Sequence, residues 1–573
     1  MKASDYIASV LAAQGVTHVF EVVGGMISHL IDSISRQGAP TLVSMHHEQA
    51  AAFAADAMGR ITGRPGVAMA TSGPGAINLL TGIGSAYFDS SPTVFITGQV
   101  NRHEKKGDRK IRQLGFQEAD IVSLSSAITK GSWSIDSSAE VEDSFARAFA
   151  LAMSDRPGPI LMDIPMDVQR EQVAPTKPSS LIVPTRLKVS NDDISTMFKR
   201  LIKAKRPLIL AGGGIRAARA LELFRRFIDL VKIPVVYSLM AVDCLDSSNP
   251  LRVGLIGSYG NRWANLSIAK ADFLLVLGSR LDIRQTGADT EFFKGDRAIY
   301  HVDCEPGEIN NRVKGCTAMK GHLSEFFESA IELGKEGKWP ERSEWLLEIR
   351  KRRENFPDTD ELKDIAGINP NRFMHQLGAV CDHAQAFVVD VGQHQMWAAQ
   401  SLPIKEHQAF ITSGGMGAMG FALPAAIGAC FALKKRPVLV IAGDGGFQLN
   451  IQELQTVQRN QLPVKIVVLN NHCHGMVRQF QESYFEGRYP STLWGYSAPD
   501  FSAVAKAYGI AARTIEMDAE VDEALEQLWH DPLAPALLQV MIDQKANAYP
   551  KIAFGHPLTE MEPLTKPLAM EST

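Results

Sequence analysis

Pro437-Val-Leu-Val-Ile-Ala-Gly-Asp-Gly-Gly-Phe447, taken with Val467-Val-Leu-Asn-Asn471, decides how this chain is read. The first run is apolar and β-branched and stops at Gly443-Asp444-Gly445-Gly446. Apolar residues at 447, 451, 454 and 457 then follow at helical spacing. Leu462-Pro463 breaks the chain, and residues 464–469 form a second apolar strand that ends on Asn470-Asn471. A strand–helix–strand crossover of this kind sets its two strands parallel. Asp444 and Asn471 are therefore expected at carboxyl ends of strands, the edge at which open α/β sheets bind ligands. One carboxylate and one carboxamide are hard oxygen donors that suit Mg2+ or Ca2+ better than zinc. Glycines beside Asp444 let backbone N–H groups come close to a phosphate. The pattern points to a metal-bridged diphosphate, although Gly-Asp-Gly by itself also makes a simple tight turn.

Working outward, 573 residues exceed one core, and three domains are expected. Hydrophobic residues make up 45% and charged residues 21%, with a net charge of −4, a balance that argues against nucleic acid or an anionic membrane as partner. The six cysteines are scattered without a C-x-x-C, as expected of reduced thiols in a cytoplasmic protein. No apolar run reaches the length of a membrane span. Residues 1–172 alternate strand and helix patterns in the manner of a doubly wound parallel sheet. A proline-rich linker over 173–184 leads to a second α/β unit at 190–335. A charged, helical second linker spans 336–366, and a third α/β unit, 366–548, holds the opening stretch. The tail after Tyr549-Pro550 shows little pattern.

Other constellations have chemical potential. Glu48 follows two histidines at a strand end and precedes small residues. Such a carboxyl can share a proton with a heteroaromatic nitrogen, or merely favour a helix N-terminus. Gly24-Gly25 and Gly73-Pro74-Gly75 are strand-end loops open to a ligand, and turn geometry alone also explains them. Gly212-Gly213-Gly214 is not a G-x-G-x-x-G pattern. Gly257 to Gly260, Gly278-Ser-Arg280-Leu-Asp282 and Asp303 nevertheless all follow apolar strands. Arg280 suits a diphosphate and Asp303 a ribose or adenine edge; a domain without ligand is the alternative. His394 lies between two glutamines, as a ligand-facing donor or a satisfied loop residue. Met419 stands among residues too small to fill a core, where it can prop a bound group.

Gly443-Asp444-Gly445 with Asn470-Asn471 resembles the thiamine diphosphate signature. The chain resembles the acetolactate (acetohydroxyacid) synthase-like branch of the thiamine diphosphate-dependent enzymes. Further matches are His47-Glu48, residues 70–75, Gly115-Phe-Gln-Glu118, Arg156-Pro-Gly-Pro159, residues 392–400, 413–421 and Gly475-Met-Val477. The resemblance implies three doubly wound parallel-sheet domains: pyrimidine-binding, central and diphosphate-binding. It implies that Glu48 protonates the cofactor's pyrimidine and that Met419 holds the cofactor bent. Asp444, Asn471 and the main-chain carbonyl of Cys473 would bind Mg2+, and Phe116 and Gln117 would line the substrate side. Cofactor contacts are carried over to Gly24, Gly25, Gly73, Pro74, Asn78, Gln393, His394, Gly417, Gly443, Gly445, Gly446, Gly475 and Met476. FAD, in a structural role, would meet Arg156, Gly213, Gly257, Gly260, Gly278, Arg280, Asp282 and Asp303.

The implied reaction is a decarboxylation of a 2-oxo acid, pyruvate, with transfer of the two-carbon unit to a second 2-oxo acid. The alternatives are acetyl transfer to a nucleotide-linked keto sugar and a pyruvate oxidase or decarboxylase activity. A homo-oligomer, dimer or tetramer, is implied, with active sites at the dimer interface; a regulatory subunit is left open. The chain departs from the branch at Phe480, where Trp is usual, and at Met166, Ile283 and Val23, where Lys, Asp and Pro are usual. Its tail, residues 548–557, looks more like relatives encoded with surface-polysaccharide genes. These departures bear on the acceptor.

Overall fold

The structure, a computed structural model, describes residues 1–174 and 186–569. The linker expected at 173–184 lies, from residue 175, outside the described residues. Eighteen strands build three six-stranded parallel sheets. The first holds β1 (His18–Val22), β2 (Thr41–Ser44), β3 (Gly66–Ala70), β4 (Thr93–Gln99), β5 (Gly131–Ser134) and β6 (Pro159–Pro165). The second holds β7 (Pro207–Ala211), β8 (Val235–Tyr237), β9 (Arg252–Leu255), β10 (Phe273–Leu277), β11 (Ala298–Asp303) and β12 (Thr317–Lys320). The third holds β13 (Ala386–Val389), β14 (Ala409–Thr412), β15 (Val438–Gly443), β16 (Val464–Asn470), β17 (Ala511–Ile515) and β18 (Ala536–Met541). β15 and β16 are buried at every position, as expected of central parallel strands covered by helices on both faces.

The first and third sheets share one strand order: β2-β1-β3-β4-β6-β5 and β14-β13-β15-β16-β18-β17. In both, the order reverses between the first strand and the third, and the crevice at that switch point is where such sheets bind ligands. The central sheet runs β12-β11-β10-β7-β8-β9, the order of dinucleotide-binding folds, with its switch point between β7 and β10.

The N-terminal and C-terminal domains meet along two helices, Glu48–Thr62 and Ala422–Ala432, both rich in alanine. A Cβ on Gly428 would lie 1.9 Å from the Ala54 carbonyl oxygen, so glycine is what lets the backbones approach. A buried network spans the same seam. Arg60 binds Asp56 through two nitrogens, at 2.6 and 2.8 Å, and Asp89 at 3.0 Å, and donates to the Thr412 carbonyl. Asp89 in turn accepts from the Gly414 and Gly415 N–H groups.

Three elements differ from the sequence reading. The helix expected from Phe447 is broken into Asp444–Gln448, a 3-10 turn Ile451–Glu453 and Leu454–Arg459. The charged helix Ser343–Asn355 is no free linker: Trp345 and Ile349 are buried against the central domain. The tail folds into an antiparallel pair, Lys551–Ile552 with Met561–Glu562, and buries Ile552, Leu558 and Met561 on that same domain. Arg262, paired with Glu361 at 2.8 Å, donates to the Glu562 carbonyl and anchors the tail. The helix itself was expected; what local spacing does not show is that it and the tail pack on the central domain, because those contacts join residues far apart in the chain.

Candidate active site

In the third sheet Gly443 pairs with Leu469, so Asp444 and Asn471 leave the sheet one and two residues beyond a shared row. Asp444 is 3% exposed, and burial pushes its carboxyl up to about 6. Tyr496 donates to its Oδ2 at 3.0 Å, and among the described residues it forms no ion pair. A buried carboxylate without a cation is a place a divalent ion fits. Asn471 Nδ2 donates to Gln393 Oε1 at 3.1 Å, and Asn471 Oδ1 accepts the Cys473 N–H at 3.3 Å, which fixes the carboxamide's orientation. His394 is buried and held neutral, its imidazole driven down to about 3, and its Nε2 has no partner. That orphan atom is one a bound group would satisfy.

The glycines here have a protein reason as well as a ligand one. A Cβ on Gly446 would stand 2.6 Å from Asp390 Oδ1, and one on Gly475 would stand 1.9 Å from Gln393 Oε1. Asp390, at the end of β13, accepts the N–H groups of Val391, Gly420 and Ala422 and so ties down the loop that carries Gly417 and Met419. The Met419 methyl reaches within 3.4 Å of where Gly445 would carry a Cβ. The helix Gly475–Tyr484, which includes Met476 and Phe480, starts beside Asn471.

The N-terminal domain gathers a second set. Glu48 opens its helix 9% exposed, and Asn78 Nδ2 donates to its Oε2 at 2.9 Å. The β3 loop, Gly73-Pro74-Gly75, packs against both Glu48 and Gln117. Gln117 holds a left-handed φ of 65°, a strained conformation for this residue type that marks a constrained position. Gly24 and Gly25 follow β1, and Gly24 sits against Thr71 across the switch point. Phe116 is 79% exposed. Among the described residues no hydrogen bond or ion pair joins this set to Asp444, Asn471, His394 or Met419.

A cavity at the switch point of the central sheet, between all three domains, is lined by Arg156, Gly213, Gly278, Arg280, Asp282 and Asp303. Gly257 and Gly260 do not line it; Ser258 and Tyr259 between them do. Gly257 instead has φ of 103° and abuts the Arg284 carbonyl, so the loop's own turn demands it. Asp282 caps the Arg284 and Gln285 N–H groups and pairs with Arg280 at 3.2 Å, and Arg156 pairs with Glu308 at 2.8 Å. Burial pushes Asp303 up to about 6. Sequence reasoning missed Asp390 and Tyr496, and within the flagged segment 257–260 it named the glycines where Ser258 and Tyr259 line the cavity. Asp390 was legible as an acid closing an apolar strand; Tyr496 lies in a loop without a signal.

Three matches along the chain define its class. Residues 1–124 match the N-terminal TPP binding domain of thiamine pyrophosphate enzymes, 194–329 the central domain and 390–540 the C-terminal TPP binding domain. The acetolactate synthase isozyme 2 large subunit of Escherichia coli is 36% identical over 98% of this chain and 99% of its own. The acetolactate synthase large subunits of Lactococcus lactis and Porphyra purpurea are 34% and 35% identical, over 97% of this chain and 95% and 94% of theirs. The chain belongs to the thiamine pyrophosphate enzymes, in the family of acetolactate synthase large subunits. No helix among the described residues is long and apolar enough to cross a membrane.

Proposed function

We propose that the chain decarboxylates pyruvate and joins the two-carbon unit to a second 2-oxo acid, giving 2-acetolactate, in the cytoplasm. The observation that carries this is a cation-free buried Asp444 and Asn471 at the carboxyl ends of the adjacent strands β15 and β16, and Glu48 held by Asn78 at the corresponding edge of a sheet of identical order. Thiamine diphosphate supplies the nucleophilic carbon and the electron sink when bound. Asp444, Asn471 and the Cys473 carbonyl would hold Mg2+ for its diphosphate, and Met419 and His394 would line the cofactor's site. Asn78 holds Glu48 Oε2, which leaves Oε1 as the atom that would hold or pass a proton toward the cofactor. Gln117 and Phe116 meet the substrate, and FAD occupies the central cavity in a structural role. The two halves come from two copies of the chain, so a homodimer is the smallest active unit. Because the relatives are called large subunits, a smaller partner subunit is also inferred; co-purification with a candidate small subunit tests it.

Titrating acceptors with pyruvate and identifying the C–C product by mass spectrometry tests the reading. Acetolactate at a trace rate, with fast reaction of another acceptor, overturns it. One feature favours a nucleotide-linked keto sugar instead: Lys106, Lys110 and Arg112 form no ion pair among the described residues and stand on the segment leading to Phe116. Such cations suit a diphosphate. Replacing Glu48 by Gln is expected to abolish turnover while cofactor titration shows binding retained.

A further inference from the structure

The turn that carries Glu48 is held from outside its own domain. Glu453, fully buried in the C-terminal domain, accepts the His46 N–H on Oε1 at 2.9 Å and the Thr456 hydroxyl on Oε2 at 2.7 Å. Thr456 Oγ1 also lies 3.1 Å from His46 Nδ1. Asn450, 1% exposed, donates from Nδ2 to Gln49 Oε1 at 3.1 Å and to the Gly420 carbonyl at 2.9 Å. Arg459 donates to the Ser44 carbonyl. One segment of the C-terminal domain thus grips residues 44, 46 and 49, on both sides of Glu48. Domain packing alone would be served better by apolar side chains, since a buried carboxylate is costly unless its hydrogen bonds are made. The groups gripped are the polar groups of the turn itself.

We propose that Glu453 and Asn450 are positioning residues for Glu48, and that Asn450, through Gly420, also positions the Met419 loop. A carboxyl that passes a proton works only within hydrogen-bond reach of its partner. The segment 450–453 fixes that reach. The proposal rests on Glu48 as the proton carrier.

The test uses the holoenzyme. Glu453→Gln removes the charge and leaves one acceptor oxygen, so it accepts from the His46 N–H or the Thr456 hydroxyl but not both, and the Thr456 hydroxyl must turn to keep its contact. It is expected to lose roughly 10- to 100-fold in kcat, with KM for pyruvate and affinity for thiamine diphosphate unchanged. The near-ultraviolet circular dichroism of the bound cofactor, which reports the pyrimidine's protonation, shifts with it. Thr456→Val, the gentler change, shows a smaller loss in the same direction. Asn450→Ala loses kcat and also binds cofactor more weakly, because Met419 is released. Folded Glu453→Gln and Thr456→Val proteins with wild-type kcat and dichroism overturn the proposal. So does a loss of kcat that always travels with an equal loss of cofactor affinity. Retained turnover in Glu48→Gln overturns instead the reading beneath it.

Discussion

Asp444 illustrates what burial does to one carboxyl. Its neighbours are a tyrosine hydroxyl and backbone N–H groups, and among the described residues no cation offsets its charge. Asp444→Asn removes that charge, and a metal titration followed by cofactor binding is expected to show the Mg2+ dependence lost. Asp163, on β6, is a second buried acid with a different task. Thr97 and Gln99 donate to its two oxygens at 2.6 and 2.9 Å, and burial pushes it up from 3.8 to about 7. Across that window the native chain holds a proton that the unfolded chain has released, so the stability it contributes at low pH is lost as pH rises towards about 7. Asp163→Asn is expected to flatten that part of the stability curve, by up to about 1.4 kcal/mol per pH unit. Thermal melts between pH 5 and 8, read against the wild type, check it.

At the scale of elements, the chain places its chemistry at the ends of strands and its tolerance for close packing in two helices. The helices Glu48–Thr62 and Ala422–Ala432 carry no polar stripe because each is covered on every side. The small residues after Glu48 were legible in the sequence, but not which helix they faced. Gly428→Val drives two methyl groups and a Cβ into the Ala54 carbonyl. It is expected to destabilise the protein by about 1–3 kcal/mol, seen as a lower Tm, and to disturb the Glu48 helix with it. The short helix at Asp444 ends early for a related reason: Asn450 leaves the helical path to bond Gly420 and Gln49.

At the scale of the molecule, the first and third sheets are one topology used twice. If two copies complete each other, Glu48 of one serves with Asp444 of the other. Two inactive proteins, Glu48→Gln and Asp444→Asn, should then restore activity when refolded together. Each mixed dimer has one intact site and one doubly altered site, so an equal mixture recovers about a quarter of wild-type activity. A site built within one chain recovers none. Steady-state rates of the mixture, against each parent alone, decide between them.

The amino-acid sequence by itself determined the three α/β units, the strand ends and the residue types at them. These follow from local rules: apolar runs of strand length, punctuation by glycine and proline, and oxygen donors at carboxyl ends. Local spacing marked Asp444, Asn471 and Glu48 because each closes a strand or opens a helix. Only the tertiary structure decided strand order, and with it that the central sheet has a dinucleotide switch point despite lacking the glycine pattern. It also decided that Asp282 caps a helix, that Gly257 serves its own turn, and that the plain-looking tail covers the central domain. Those facts depend on contacts between residues far apart in the chain. Glu453 and His46, more than four hundred residues apart, share a hydrogen bond that no local pattern encodes.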